Sequence, residues 1–164
     1  MTLLALLLPA LAFPVGLWLL HEDPRFWWAG LPAQWPIEVL GIAVAGTCAT
    51  LAGLLDWIYH RRGHRRIPAP ERRCELLALG LAVPLLVLLG CASVAGRPGM
   101  LLVPVLALSL VIAGLIAHDE TRYHRGCTRY ETALHRILVI GNGIAFLCWT
   151  HWCFANEVGH ARMP

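Results

Sequence analysis

The sequence predicts an all-α protein that crosses a membrane several times as a helical bundle. Of its 164 residues, 58% are hydrophobic and only 14% are charged, and the mean hydropathy is +0.64. A soluble domain carries about 25% charged residues, so this composition does not predict a water-soluble globule. The apolar runs are continuous rather than alternating. Because a bilayer offers no water to backbone groups, such runs cross it as helices and not as barrel strands.

Five apolar stretches divide the chain, and each is long enough to cross a hydrocarbon core of about 30 Å as a helix. They cover residues 3–20, 37–59, 76–95, 100–117 and 133–154. We interpret the first stretch as a span rather than a secretory signal, because no Arg or Lys precedes it and His21-Glu-Asp-Pro24 follows it in place of a cleavage site. The length of the chain, residues 1–164, allows one transmembrane helical domain.

The second and fifth spans carry the small residues that allow helices to approach closely. These are Gly41, Gly46, Gly53, Gly141 and Gly143. Asn142 stands among them, and we expect it to form a hydrogen bond with another helix.

Arginine sets the predicted orientation. Ten of the thirteen arginines flank the loops between spans two and three and between spans four and five. They are Arg61, Arg62, Arg65, Arg66, Arg72, Arg73, Arg122, Arg125, Arg129 and Arg136. The positive-inside rule places this end in the cytoplasm of a bacterial cell with the chain in the inner membrane, the N-terminus cytoplasmic and the C-terminus periplasmic. The net charge of +3 is too small and too dispersed to indicate a nucleic-acid binder.

Ionisable side chains gather at the predicted cytoplasmic ends of spans two to five. They form four i,i+4 pairs: Asp56 with His60, Glu71 with Glu75, Glu120 with His124, and Glu131 with His135. The two members of such a pair point the same way from a helix. Four helices that meet in a bundle therefore present carboxylates and imidazoles to one point, and this donor set suits iron, manganese or zinc.

The sequence thus predicts a site for one or two transition-metal ions, with iron favoured and zinc and manganese as alternatives. The predicted ligands are His60, Glu75, Glu120, His124, Glu131, His135 and Asp56, with His118 as a spare candidate. The Glu-x-x-x-His spacing departs from the Glu-x-x-His of carboxylate-bridged two-metal bundles, so their chemistry is not carried over. A metal here would allow redox chemistry on a lipophilic substrate such as a quinol or a lipid.

Several of these residues also have plainer interpretations. Thr128-Arg-Tyr-Glu131 is a capping box, so Glu131 can serve only the backbone amides at the start of span five. Glu71 follows a proline at a helix start, where the helix dipole favours an acid. Asp56 and Glu120 can pair with neighbouring arginines at the level of the lipid headgroups.

Two other functions stay open from the sequence. Imidazoles from two helices can ligate a b-type haem, although these histidines lie at helix ends, and haem usually needs a His several turns inside. The chain can also be a non-catalytic accessory or assembly subunit of a larger respiratory or photosynthetic membrane complex. A proton-coupled carrier is disfavoured, because the centres of the spans are nearly free of charge.

The predicted periplasmic end has a polar rim of its own. Glu38 lies just inside span two and needs a partner, either His21 or His151. Cys91 and Cys153 both lie near this boundary, and whether they pair is left open. Aromatic residues typical of a membrane interface lie here as well. They are Phe26, Trp27, Trp28, Trp35, Trp149 and Trp152.

One short sequence motif occurs twice in the chain. Asp56-Trp-Ile-Tyr-His-Arg61 resembles Glu120-Thr-Arg-Tyr-His-Arg125, and a second pair of ionisable residues follows each segment. We expect spans two and three and spans four and five to be parallel repeats about an axis along the membrane normal.

Short motifs resemble a family of small bacterial membrane proteins with four spans, described as domain of unknown function 2231. The motifs are Gly53-Leu-Leu-Asp-Trp at the end of a span, a Pro-containing loop and a turn with Tyr123-His-Arg-Gly, while Phe13-Pro-Val-Gly-Leu is similar to the start of that family's first span. The resemblance covers about residues 8–126. The chain departs from the family at Ala12 and Ala78, where the family has histidines, and it adds a fifth span. The resemblance implies architecture rather than activity, because the family has no settled function.

Overall fold

The structure, a computed structural model, describes residues 3–63, 68–123 and 127–155, with side chains from residue 7 onward. These residues form five α-helices and no strand: α1 Leu3–His21, α2 Ile37–Arg61, α3 Ala69–Val94, α4 Leu102–Tyr123 and α5 Arg129–Phe154. Short 3-10 segments precede α2 and α4, at Pro24–Gly30, Pro32–Gln34 and Pro98–Leu101. The predicted all-α fold is confirmed.

Four of the helices, α2 to α5, are long and apolar enough to cross a membrane. In α1 the apolar part whose side chains are described is shorter, from Leu7 to His21. Helix α3 begins at Ala69 and α5 at Arg129, ahead of the predicted starts at 76 and 133. Both helices begin before the apolar run because most of the residues ahead of it are charged or polar ones that accept helical geometry, and Pro70 stands in the first turn of α3, where proline is tolerated.

The helices pack as two pairs, and only one of these pairs joins helices that are neighbours in the sequence. Helix α2 lies along α5, and α3 lies along α4. Among the described residues, the sequence neighbours α2 and α3, like α4 and α5, make few contacts with each other. Helix α1 packs on α2 and is covered by the 3-10 segment that follows it. The ends of α2 and α5 that carry predicted ligands are therefore brought together by direct packing, although 67 residues separate the two helices in the chain.

Glycine allows the close approach of α2 and α5. A Cβ atom on Gly141 would lie 2.8 Å from the carbonyl oxygen of Ala45 and 3.0 Å from Cβ of Ala49. A Cβ atom on Gly41 would lie 2.6 Å from Sγ of Cys148. No side chain fits at either position without movement of its neighbours, so the predicted role of these two glycines is confirmed.

The prediction is wrong at two other glycines and at the neighbouring asparagine. A Cβ on Gly46 or Gly143 would meet no atom within 4 Å. The Asn142 side chain is exposed and makes no hydrogen bond within the described part of the chain. The rotation of the helix explains this difference. Gly141 faces α2, and successive residues are rotated by about 100° around the helix axis, so Asn142 and Gly143 face away from that contact.

Aromatic side chains close the end of the bundle opposite the arginine-rich loops. Phe26 is 1% exposed, and its ring centroid lies 6.1 Å from that of Trp28 and 6.0 Å from that of Trp152. Nε1 of Trp149 donates a hydrogen bond to Oγ of Ser93 over 2.8 Å, which ties α5 to α3. The predicted aromatic belt is thus in part a packing core, while Trp27 is exposed as an interfacial residue.

Candidate acid and imidazole site

Each long helix buries one carboxyl group at the arginine-rich end. The exposed fractions are 9% for Asp56, 1% for Glu71, 5% for Asp119 and 1% for Glu131. In α2 the carboxyl group continues the buried face of the helix, because Asp56 follows the buried Ala49 by seven residues and the buried Ala52 by four. The sequence pattern that buries the apolar face of each helix therefore also buries its acid.

His60 connects α2 to α5 at this end. Its Nε2 lies 3.6 Å from Oδ1 of Asp56 on the same helix and 3.5 Å from Oε1 of Glu131 on α5. The His60 and Asp56 side chains are 15% and 13% exposed, and that of Glu131 is 2% exposed. The backbone N–H of Glu131 donates to Oγ1 of Thr128 over 3.2 Å, so the predicted N-terminal cap is confirmed. The carboxyl group of Glu131 nevertheless lies beside an imidazole of another helix.

A second pair connects α5 to α4. Nε2 of His135 lies 3.2 Å from Oε2 of Glu120, with side-chain exposures of 15% and 35%. His135 follows Glu131 by four residues, so one face of α5 presents a carboxylate to α2 and an imidazole to α4.

Helix α3 completes the ring of helices. Glu75 lies within electrostatic reach of Asp56 on α2, Asp119 on α4 and Glu71 on its own helix. Its Oε2 is buried and has no hydrogen-bond partner within the described residues. Sγ of Cys74 donates to the carbonyl oxygen of Leu115 over 3.4 Å, which fixes α3 against α4 at this level.

Six of the eight predicted ligands lie in this acid and imidazole cluster. They are Asp56, His60, Glu75, Glu120, Glu131 and His135. His118 is exposed, and its ring lies 6.1 Å from that of Tyr123 on the same helix. His124 lies outside the described residues. Within residues 3–63, 68–123 and 127–155, no three His, Cys, Asp or Glu side chains are grouped so that they could hold a metal ion.

Asp119 and Glu71 belong to the cluster, although they are not among the predicted ligands. Asp119 follows the fully buried Val105 by two heptads and so continues the inner face of α4. The heptad spacing identifies Asp119 as a buried residue. The motif that α4 shares with α2 selects the next residue, Glu120, instead. The sequence pairs Glu71 with Glu75 but also explains it by the helix dipole, and its burial places it inside the cluster.

The opposite end carries two smaller ion pairs. Nδ1 of His151 lies 2.9 Å from Oε1 of Glu38, which confirms one of the two partners predicted for that acid. In the turn after α1, the Arg25 guanidinium donates hydrogen bonds to the Asp23 carboxylate over 2.7 to 3.1 Å. These hydrogen bonds lower the pKa of Asp23 and raise the pKa of Arg25.

All six cysteines are free thiols, so Cys91 and Cys153 are not joined by a disulfide. Cys153 is buried, with its Sγ 3.9 Å from the carbonyl oxygen of Leu89 and 3.5 Å from Oγ of Ser93. Cys91 is exposed on the same helix as these two residues. The thiol of Cys153 therefore serves the packing of α5 on α3.

Comparisons with known proteins gave no relative in which this cluster could be recognised. The resemblance to domain of unknown function 2231 is neither supported nor contradicted by any match. Comparisons of the chain with protein-family models, with curated proteins and with solved structures found no match.

Proposed function

We propose that this protein is an integral membrane metalloprotein that binds one or two transition-metal ions, with iron favoured, in the acid and imidazole cluster. The observation that carries the proposal is the convergence of six carboxyl groups and two imidazoles from four helices at one end of the bundle. The carboxyl groups belong to Asp56, Glu71, Glu75, Asp119, Glu120 and Glu131, and the imidazoles to His60 and His135. Carboxylate and imidazole are the ligands of iron, manganese and zinc, and acids at this depth in a membrane protein are usually functional.

The distances around His60 support a shared ion. Two donor atoms that each lie about 2.0–2.2 Å from one ion in tetrahedral geometry are themselves roughly 3.3–3.6 Å apart. Nε2 of His60 is 3.6 Å from the Asp56 oxygen and 3.5 Å from the Glu131 oxygen. An ion shared by these groups would require the side chains to turn toward one another, because in the described residues no three of them are grouped so that they could hold it. It would also neutralise part of the negative charge that the cluster buries.

Metal analysis tests this proposal. Protein purified without chelators should carry about one or two metal ions per chain, because a buried set of carboxylates and imidazoles retains a transition metal. Elemental mass spectrometry measures the ratio. The affinity for the metal should fall at least about tenfold in His60→Ala and in His135→Ala, since each change removes a ligand. His151→Ala is the matched control, because it removes an imidazole that faces a carboxylate at the opposite end.

The control should keep the wild-type metal content. Wild-type protein without metal would exclude the proposal, and a Soret band in its optical spectrum would replace it with a b-type haem. Size-exclusion chromatography of each variant separates loss of metal from loss of the fold. If the metal is iron, we propose redox chemistry on a lipophilic substrate such as a quinol or a lipid, which can reach a site at the membrane boundary.

A second candidate function, an accessory subunit of a larger respiratory or photosynthetic complex, is favoured by the surface of α4. In the most apolar stretch of 18 residues within Pro98–Tyr123, only 6% of the residues are buried, against 22% in the corresponding stretch of α2. Val103, Leu110 and Val111 are exposed, so one face of that helix is left for lipid or for another subunit. Co-purification of a partner in mild detergent, unchanged by His60→Ala, would favour this function over metal binding.

We further propose that α1 is a fifth span and that α2–α3 and α4–α5 are parallel repeats. Under the repeat, α2 exchanges with α4 and α3 with α5. This exchange converts the α2–α5 pair into the α3–α4 pair, and these are the two pairs that pack most extensively. Each of the four helices also contributes one buried carboxyl group. The helix pairing supports the repeat, whereas the buried acid of α4, Asp119, is one residue away from the Glu120 that the motif aligns with Asp56.

Cysteine labelling tests the proposed orientation in a bacterial inner membrane, with the arginine-rich end and the N-terminus cytoplasmic and the C-terminus periplasmic. Arg97 and Arg62 are both exposed and lie at opposite ends of the bundle. In a background without the natural cysteines, a membrane-impermeant maleimide should label Arg97→Cys in intact spheroplasts. It should label Arg62→Cys only after lysis. The reverse pattern would contradict the positive-inside assignment.

A further inference from the structure

An open cleft with a volume of about 580 Å³ lies beside the first two turns of α5. It is lined by Cys127, Arg129, Thr132, Ala133, Arg136 and Ile137. None of these residues belongs to the acid and imidazole cluster, which occupies a different face of the same turns. The cleft therefore offers a separate surface at the arginine-rich end of the bundle.

Two arginines give the cleft its charge. Arg129 and Arg136 are seven residues apart, so they share one face of α5 and are offset by about 10.5 Å along its axis. Both are exposed, and within the described part of the chain neither forms an ion pair. Thr132 lies between them with a hydroxyl group. The face thus combines two uncompensated positive charges, and guanidinium groups bind phosphate oxygens through paired hydrogen bonds.

The same face becomes apolar along the rest of the helix. Ile137, Ile140 and Leu147 are 47%, 60% and 65% exposed. Ile140 and Leu147 follow Arg136 by four and eleven residues and so continue its face. A molecule that fits this surface has an anionic group at one end and hydrocarbon chains about as long as half a membrane at the other.

We infer that this face of α5, the Arg129–Arg136 face, binds an anionic phospholipid of the adjacent leaflet. The phosphate lies between the two guanidinium groups, and the acyl chains lie along Ile140 and Leu147. Free inorganic phosphate would meet the two arginines but gain nothing from the apolar continuation, and a zwitterionic lipid would bring a positive group close to them. The inference is independent of the metal proposal, because it uses other residues.

Native mass spectrometry of the full chain in detergent tests this inference. Phosphatidylglycerol should bind the wild-type protein, and its affinity should fall at least about tenfold in Arg129→Gln/Arg136→Gln, since each arginine contributes charge-assisted hydrogen bonds to phosphate. Arg129→Lys/Arg136→Lys should recover part of the binding through charge alone. Arg97→Gln is the matched control, because it removes an exposed arginine outside the cleft, and it should bind as the wild type does.

Two competitors identify the source of the phosphate group. Phosphatidylcholine should bind no better to the wild type than to the double variant, and millimolar inorganic phosphate should not displace phosphatidylglycerol. Equal affinity of the double variant and the wild type for phosphatidylglycerol would overturn the inference. Displacement by inorganic phosphate would also overturn it, because the site would then recognise a free anion rather than a lipid.

Discussion

Gly141→Ala should lower the free energy of unfolding by about 1–3 kcal/mol, the usual cost of overpacking a close contact. The added Cβ would lie 2.8 Å from the Ala45 carbonyl oxygen and 3.0 Å from Cβ of Ala49. Neither atom can move without a shift of the α2 backbone. Thermal unfolding in detergent, followed by loss of helical circular dichroism, measures the effect.

Gly143→Ala is the control for this variant. It makes the same chemical change two residues along the same helix, where a Cβ meets no atom within 4 Å. It should be neutral or stabilise the helix by up to about 1 kcal/mol, because alanine has the higher helix propensity. Equal effects of the two variants would show that α2 and α5 are not in close contact at Gly141.

His60→Ala should lower the free energy of unfolding by about 1–3 kcal/mol, the usual cost of removing one partner from buried polar groups. The change removes the imidazole that lies between Asp56 and Glu131, whose side chains are only 13% and 2% exposed. The two carboxyl groups, which belong to different helices, would then lose the imidazole that lies between them. Thermal unfolding in the same detergent measures the loss.

The matched variant for this second effect is His151→Ala. That imidazole also faces a carboxylate, but it is 61% exposed, and an exposed pair contributes about 0–1 kcal/mol. A loss of stability in His151→Ala as large as that in His60→Ala would contradict the assignment of His60 to a buried cluster. Chelator should lower the stability of wild-type protein but not that of His60→Ala if the cluster also holds a metal.

The long apolar helices could be predicted from the sequence because hydrophobic length is a local property. Their ends could not be predicted as well, since the first turn of α3, which includes Glu71, is helical without being apolar. The i,i+4 spacing correctly brought Asp56 and His60 together. The contact of His60 with Glu131 depends on α2 packing against α5, and chain order carries no information about that pairing.

The choice between two adjacent acids shows the same limit at the level of one residue. Aligning the α4 motif with that of α2 selected Glu120 as the counterpart of Asp56. The structure instead buries Asp119, while Glu120 is partly exposed and pairs with His135. One residue is a rotation of about 100° around the helix, so the correct choice requires the direction of the neighbouring helices. An alignment of motifs does not supply that direction.

The pairing of α2 with the last helix has a consequence for how the protein is made. The ribosome synthesises α2 well before α5, and at about 5–20 residues per second the interval between them lasts on the order of several seconds. During this time the small-residue face at Ala45 and the acid at Asp56 have no α5 to cover them. A nascent chain that stalls before α5 would leave that face of α2 uncovered.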